Sequence, residues 1–336
     1  MATMKDVAQL AGVSTATVSR ALMNPEKVST STRKRVEDAV LEAGYSPNSL
    51  ARNLRRNESK TIVAVVPDIC DPYYSDIIRG IEEAAIEHGY TVLLGDSSQQ
   101  KRREPSSLAN LSFAKQADGI LLLGADLPYD VSKSEQKNLP PLVMACEFAP
   151  ELELPTVHID NLTAAFEIVN YLTQMGHKRI AQISGPESAA IFKFRSQGYQ
   201  QALRRAGILM RPNYTVYADY SFEAGAVAVR KLLSLAEPPT AIFCHCDIMA
   251  IGAIQEVKRL GLRVPQDLSI VGFDDIQFAQ YCDPPLTTIA QPRYEIGRQA
   301  MLMILEVLRG KDVRAGSRLL ETRLVVRNSV APPRVC

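Results

Sequence analysis

The sequence predicts an N-terminal all-α head joined to a larger α/β body of doubly wound parallel sheets. Three observations carry that prediction. The first 46 residues repeat apolar side chains at helical spacing between cap residues. From Thr61 the period changes, and short apolar runs alternate with amphipathic stretches, the pattern of parallel strands covered by helices. Charge is uneven: residues 1–60 hold ten Lys/Arg against six Asp/Glu, +4, leaving −3 for the remainder of a 336-residue chain of net charge +1. That length suits two or three domains with ample core.

In the head, Thr3-Met4-Lys5-Asp6 has the capping-box form. Val7 and Ala11 share a face, Gly12 can take the positive φ of a tight turn, and Ser14 caps a second helix in which Val18 and Leu22 repeat the spacing. Val7, Ala11, Val13, Val18 and Leu22 then form a small core, with Thr15, Ala16, Thr17, Ser19 and Arg20 outward. Residues 4–24 thus read as a helix-turn-helix whose second helix enters a DNA major groove. Periodicity alone is equally compatible with an ordinary amphipathic helix pair. Thr32 to Ala43 reads as a third helix stopped by Gly44. After the break at Tyr45-Ser46-Pro47-Asn48, Ser49 to Arg56 could make two helical turns with Leu50 and Leu54 aligned among Arg52, Arg55 and Arg56. Eight residues are too few for a stable isolated helix, so either a segment that folds on DNA or a flexible basic linker fits.

In the body the strand-like runs are TIVAVVP, YTVLLGD, GILLLG, LVMACE, TVHID, RIAQISG, TAIFCHCD, LSIVGFDD and LTTIAQP, followed near the end by ETRLVVRNSV. Ligands of such sheets bind beyond the carboxyl ends of the strands, where Asp68, Asp96, Asp160, Asp247, Asp274 and Asp275 stand. Many of these acids should only cap the next helix. Among the six cysteines there is no CxxC pair, and in Cys244-His245-Cys246 alternation sends the two thiols to one face and His245 to the other, which favours buried thiols over a metal site. His177 follows a helix end, where a cation suits the dipole.

MKDVAQLAGVSTATVSRALMN resembles the signature DVAxxAGVSxxTVSRxLN of the LacI/GalR family of bacterial repressors, departing from it by Met23 between Leu22 and Asn24. The resemblance runs along essentially the whole chain. It implies base reading by Thr15, Ala16 and Arg20, phosphate contacts by Ser14, Thr17, Ser19 and Asn24, and a hinge helix over residues 47–60 whose Leu54, beside Ala51, wedges into the minor groove. It further implies a body at 61–336 like the periplasmic sugar-binding proteins, two lobes clamping an effector. One lobe spans about 61–160 and 291–320, the other about 161–290 and 321–330.

On that resemblance the effector site comprises Tyr73, Tyr74, Asp160, Arg195, Tyr220, Asp247 and Asp274, with Arg195 of RxxGYxxAL as anchor and Asp274 of GFDD as a hydrogen-bonding acid. The tyrosines read otherwise as simple interlobe packing. Within the family the similarity is greatest to a nucleoside-responsive member, through VPDICDP, EFAPELELPTVHIDNLTAAF and CDPPLTTIAQPRYEIGR. It implies repression of nucleoside uptake and catabolism genes, relief by cytidine, no cofactor or metal, and a promoter shared with the cyclic-AMP receptor protein. A purine or a sugar is the alternative effector.

A palindromic operator requires a symmetric dimer, and no leucine-heptad tail suggests a tetramer. The chain shows no GxSxG, HExxH or GxGxxG after a strand, which argues against an enzyme. A secreted solute-binding protein is the other rival, opposed by the head and by the lack of a leader before Met4. With no apolar run near the roughly 18 residues of a membrane span, a cytoplasmic protein with no membrane partner is expected.

Overall fold

The computed structural model describes residues 2–45, 58–97, 117–124, 140–147, 154–186, 189–311 and 316–334. Two compact units divide at Ser59 and Lys60. Ala51 and Leu54, with most of the expected hinge, lie outside the described residues.

The head holds α1 (Met4–Ala11), α2 (Thr15–Met23) and α3 (Thr30–Ala43). Asp6 reaches back to accept from Thr3 N and Oγ1 at 2.7 and 2.8 Å, closing the expected cap on α1. Gly12 ends that helix at φ 61°, the left-handed turn that lets α2 begin three residues later. Ser14 Oγ then accepts from Thr17 N at 3.1 Å, a cap of about 1 kcal/mol. The third helix starts earlier than the spacing predicts, because Ser29 caps it. Val7, Val18 and Val36 meet with no exposure at all, each burial contributing roughly 1.5–3 kcal/mol. Arg35 on α3 donates both to the carbonyl of Ala11 and to that of Gly12, the latter at 3.2 Å, so it satisfies carbonyls that α1 leaves open at its end.

In the body, β1 (Thr61–Val66), β2 (Thr91–Asp96), β3 (Gly119–Leu122), β4 (Leu142–Ala145), β5 (Thr156–Ile159) and β11 (Ser317–Leu320) form one sheet in the order β11-β5-β4-β3-β1-β2. A second sheet has the order β7-β6-β8-β9, from β6 (Ile180–Ser184), β7 (Thr215–Tyr217), β8 (Ala241–Cys244) and β9 (Ser269–Val271). Every pairing within both is parallel, as the apolar runs predict. A third element departs from that expectation: β10 (Thr288–Ala290) and β12 (Arg323–Val325) pair antiparallel.

The covering helices are α4 (Tyr73–Glu87), α5 (Asn161–Gln174), α6 (Ala190–Arg205), α7 (Phe222–Leu233), α8 (Asp247–Arg259) and α9 (Arg293–Leu308). One apolar cluster joins Ile62, Ala64, Ile77 and Ile304 of the first sheet's layer to Ile168, Tyr199, Phe243 and Phe273 of the second, so a continuous core runs through both lobes. Cys244 and Cys246 enter the separate cluster beneath α7 and α8, opposite Phe243 and His245, as strand alternation requires. His177 corrects the sequence reading. It is 1% exposed, its two ring nitrogens pair with Thr240 Oγ1 and Ala331 O, and burial lowers its pKa. It is a neutral strut and not a cation on a helix dipole.

Candidate DNA-reading helix and effector cleft

On α2 the side chains of Thr15, Ala16 and Arg20 are exposed, while Thr17, Ser19 and Asn24 are half-buried. Ser14 is exposed, but its oxygen already serves the helix cap and lies 2.9 Å from Thr17 Oγ1. The backbone N–H of Asn24 donates to Arg20 O at 2.8 Å and closes the helix. Small hydroxyl and methyl groups around one long cation allow this face to approach a phosphate backbone closely.

Both parallel sheets reverse direction of growth once, between β1 and β3 and between β6 and β8, and ligands of such sheets bind at the carboxyl ends beside that reversal. Arg195 of α6 stands there, 5% exposed. Its Nε donates to Asn161 Oδ1 at 2.8 Å and its Nη1 to the carbonyl of His245. Its guanidinium lies 3.7 Å from the centre of the Phe273 ring and 5.6 Å from that of Phe192. Asp274 faces it, with Oδ1 3.7 Å from Arg195 Nη2. The Asp274 backbone has φ 120°, a conformation costing roughly 1–3 kcal/mol, and is held by bonds to Ile289 O and from Arg293 Nη1. Gln291 bridges this acid to the first lobe, donating to Asp274 Oδ1 at 2.7 Å and accepting from the Tyr73 hydroxyl at 3.0 Å.

Electrostatics follow from that burial. Burial raises Asp274 to about 7 against the pull of Arg195, and the nearby Asp71 adds to the rise. Asp247, with no exposure, is raised by burial and then by the charge of Asp274; it accepts from Ile276 N at 2.9 Å and from Thr288 Oγ1 at 2.6 Å. Two carboxylates in one water-poor site titrate as a pair. His245 is driven towards neutrality, first by burial and then by Arg195.

The structure distributes the expected effector residues unevenly. Gln291 links Asp274 to Tyr73, and Arg195 faces Asp274 directly. Tyr74 is 7% exposed within the first lobe's core, edge-on to Tyr73 at 5.0 Å. Tyr220 is 43% exposed, its ring centre 5.2 Å from that of Phe192. The carboxylate of Asp160 caps α5, accepting from Leu162 N, Thr163 N and Thr163 Oγ1; its neighbour Asn161 is the residue that reaches Arg195. Sequence reading missed Asn161, Phe192, Phe273 and Gln291. The only signal for Asn161, Phe273 and Gln291 was their place just past strand ends; Phe192, inside α6, carried none. Among the described residues no group of three or more His, Cys, Asp or Glu could hold a metal ion, and no helix is long and apolar enough to cross a membrane.

Comparison with known proteins agrees with this architecture. The profile of the bacterial regulatory proteins, lacI family, matches residues 3–48, and that of the periplasmic binding protein-like domain matches residues 169–330. The HTH-type transcriptional repressor CytR of Escherichia coli (strain K12) is 61% identical over 98% of this chain and 96% of its own length. Catabolite control protein A of Priestia megaterium is 37% identical over 97% and 98%. Among solved structures, the lac repressor dimer bound to operator and the anti-inducer ONPF superposes with a TM-score of 0.85 at 28% identity, covering 98% of this chain and 99% of that one. The transcriptional regulator CelR–cellobiose complex gives 0.71 at 31%, covering 98% and 100%. The helical head, the two-lobed body of parallel sheets and these full-length matches together establish that the chain belongs to the lacI family of bacterial regulatory proteins, which are DNA-binding repressors and not enzymes.

Proposed function

We propose that this protein is a cytoplasmic homodimeric repressor of nucleoside uptake and catabolism genes, released from its operators by cytidine. The observation that carries the reading is 61% identity to a named CytR repressor along nearly the whole chain. The cleft supports it: a cation, two acids, a carboxamide and several aromatic rings suit a flat polar base carrying a ribose. In this reading Thr15, Ala16 and Arg20 meet base edges, while Ser14, Thr17, Ser19 and Asn24 meet phosphates. Ala16 can offer only apolar contact, such as to a thymine methyl. Leu54, with Ala51 beside it, wedges open the minor groove between the two half-sites. With one long reader per head, discrimination is modest, and a cyclic-AMP receptor protein on the same promoter supplies the remaining affinity.

Effector and operator are linked by a coupling energy of roughly 1–3 kcal/mol, which acts equally in both directions. The test is a calorimetric titration of the full chain with cytidine, uridine, adenosine, a free purine and ribose, paired with operator gel shifts. Cytidine should bind and weaken operator binding by about five- to hundredfold. Preference for a purine or for ribose alone would replace cytidine with that effector.

A further inference from the structure

Ser184 and His245 carry side-chain atoms that the fold leaves unused. Among the described residues, Ser184 Oγ and His245 Nδ1 are buried with no hydrogen-bond partner, and the two residues are 1% and 0% exposed. Ile183 and Cys244 are the last registered pair of β6 and β8, so Ser184 and His245 emerge side by side immediately beyond it. That place is the reversal point of the second sheet, at its carboxyl edge. The pair also lies near the anchor. The Phe192 ring is stacked 5.9 Å from that of His245 and stands 5.6 Å from the Arg195 guanidinium, which itself binds the His245 carbonyl.

The tautomer follows from the neighbours. Gln182 donates its amide nitrogen to Thr215 Oγ1 at 3.0 Å, which turns its Oε1 towards His245 Nε2, also at 3.0 Å. Nε2 therefore carries the proton, and Nδ1 of the neutral ring can only accept. Ser184, with a rotatable hydroxyl, can donate beside it. The protein thus offers an acceptor next to a donor, both desolvated already. Leaving such groups unpaired is costly, which favours a ligand that completes them.

Resting on the nucleoside reading above, we infer that Ser184 and His245 form a base-reading subsite selecting a 4-aminopyrimidine edge. An amino group donates to His245 Nδ1 while the adjacent ring nitrogen accepts from Ser184 Oγ, with Phe192 moving aside to admit the base. Cytosine presents that donor and acceptor in that order. Uracil places a carbonyl oxygen where the amino group stands, opposing acceptor to acceptor. A ribose held at Arg195 and Asp274 prevents the base from sliding by one atom to escape that clash.

The test uses full-length protein carrying ¹⁵N-labelled histidine, four residues in all, titrated with cytidine and uridine. Cytidine should move the His245 Nδ1 resonance from a bare to a hydrogen-bonded position, and uridine should not. By calorimetry Ser184→Ala should weaken cytidine by about tenfold, and His245→Phe should erase the preference for cytidine over uridine, itself about tenfold or more. If His245→Phe fails to fold, the resonance and Ser184→Ala decide the matter. Cytidine binding with an unmoved resonance and unchanged cytidine affinity in Ser184→Ala would show that the pair holds only structural water, overturning the subsite while leaving cytidine as effector. If the wild-type chain binds no nucleoside, the functional reading fails and the subsite fails with it.

Discussion

Single side chains set the tension in both units. Arg35 ties the third helix of the head to the end of the first and to its turn, although it is not on the reading face. Arg35→Met should lower operator affinity by roughly tenfold through loss of two charge-assisted bonds, with the slope of log affinity against log salt unchanged. A slope shallower by about one would instead make Arg35 a phosphate contact. In the cleft, Asp274 holds its proton more tightly folded, at about 7, than at its ordinary value of 3.8. Its stabilising contribution is therefore full below about pH 4 and is lost as pH rises through 7. Asp274→Asn should flatten the fall in the melting temperature of the body between pH 5 and pH 8. An unaltered fall in that variant would assign the proton to Asp247.

Among elements, the helix pairs are joined backbone to backbone. A Cβ on Gly80 of α4 would lie 2.1 Å from Tyr294 O on α9, and one on Gly297 of α9 would lie 2.0 Å from Ile77 O on α4. Gly225 and Gly252 repeat the arrangement between α7 and α8. Alanine would gain about 1 kcal/mol of helix propensity at Gly297, but overpacking against a rigid backbone costs roughly 1–3 kcal/mol and must part the helices. Gly297→Ala should lower the urea midpoint, and an unchanged midpoint would mean that α4 and α9 are not in close contact. That glycine seam was invisible in the sequence, since spacing shows which face is apolar but not which helix it meets. Strands such as TIVAVV were legible because buried parallel strands are apolar throughout. TVY and SRLL were not, being short and partly exposed. Arg195 and Asp274 could be found from motifs. Gln291, Asn161 and His245 acquire their roles only from the register in which neighbouring strands end.

The whole molecule joins a small helical unit to a body that contains its own core. On the proposed reading, removing residues 1–60 should leave a soluble dimer that binds its effector with unaltered affinity and no longer binds operator, measurable by sedimentation and calorimetry. A monomer would place the dimer contacts in the head or the hinge. The bonds around Arg195 have a consequence for what such a body can sense. A carboxylate, a carboxamide and a backbone carbonyl already surround that guanidinium; on the proposed reading, in which Arg195 anchors the effector, an arriving effector must displace a built-in rival and gains only the difference. Occupancy then demands abundance as well as fit. A receptor wired in this way ignores traces of its signal and answers to surplus.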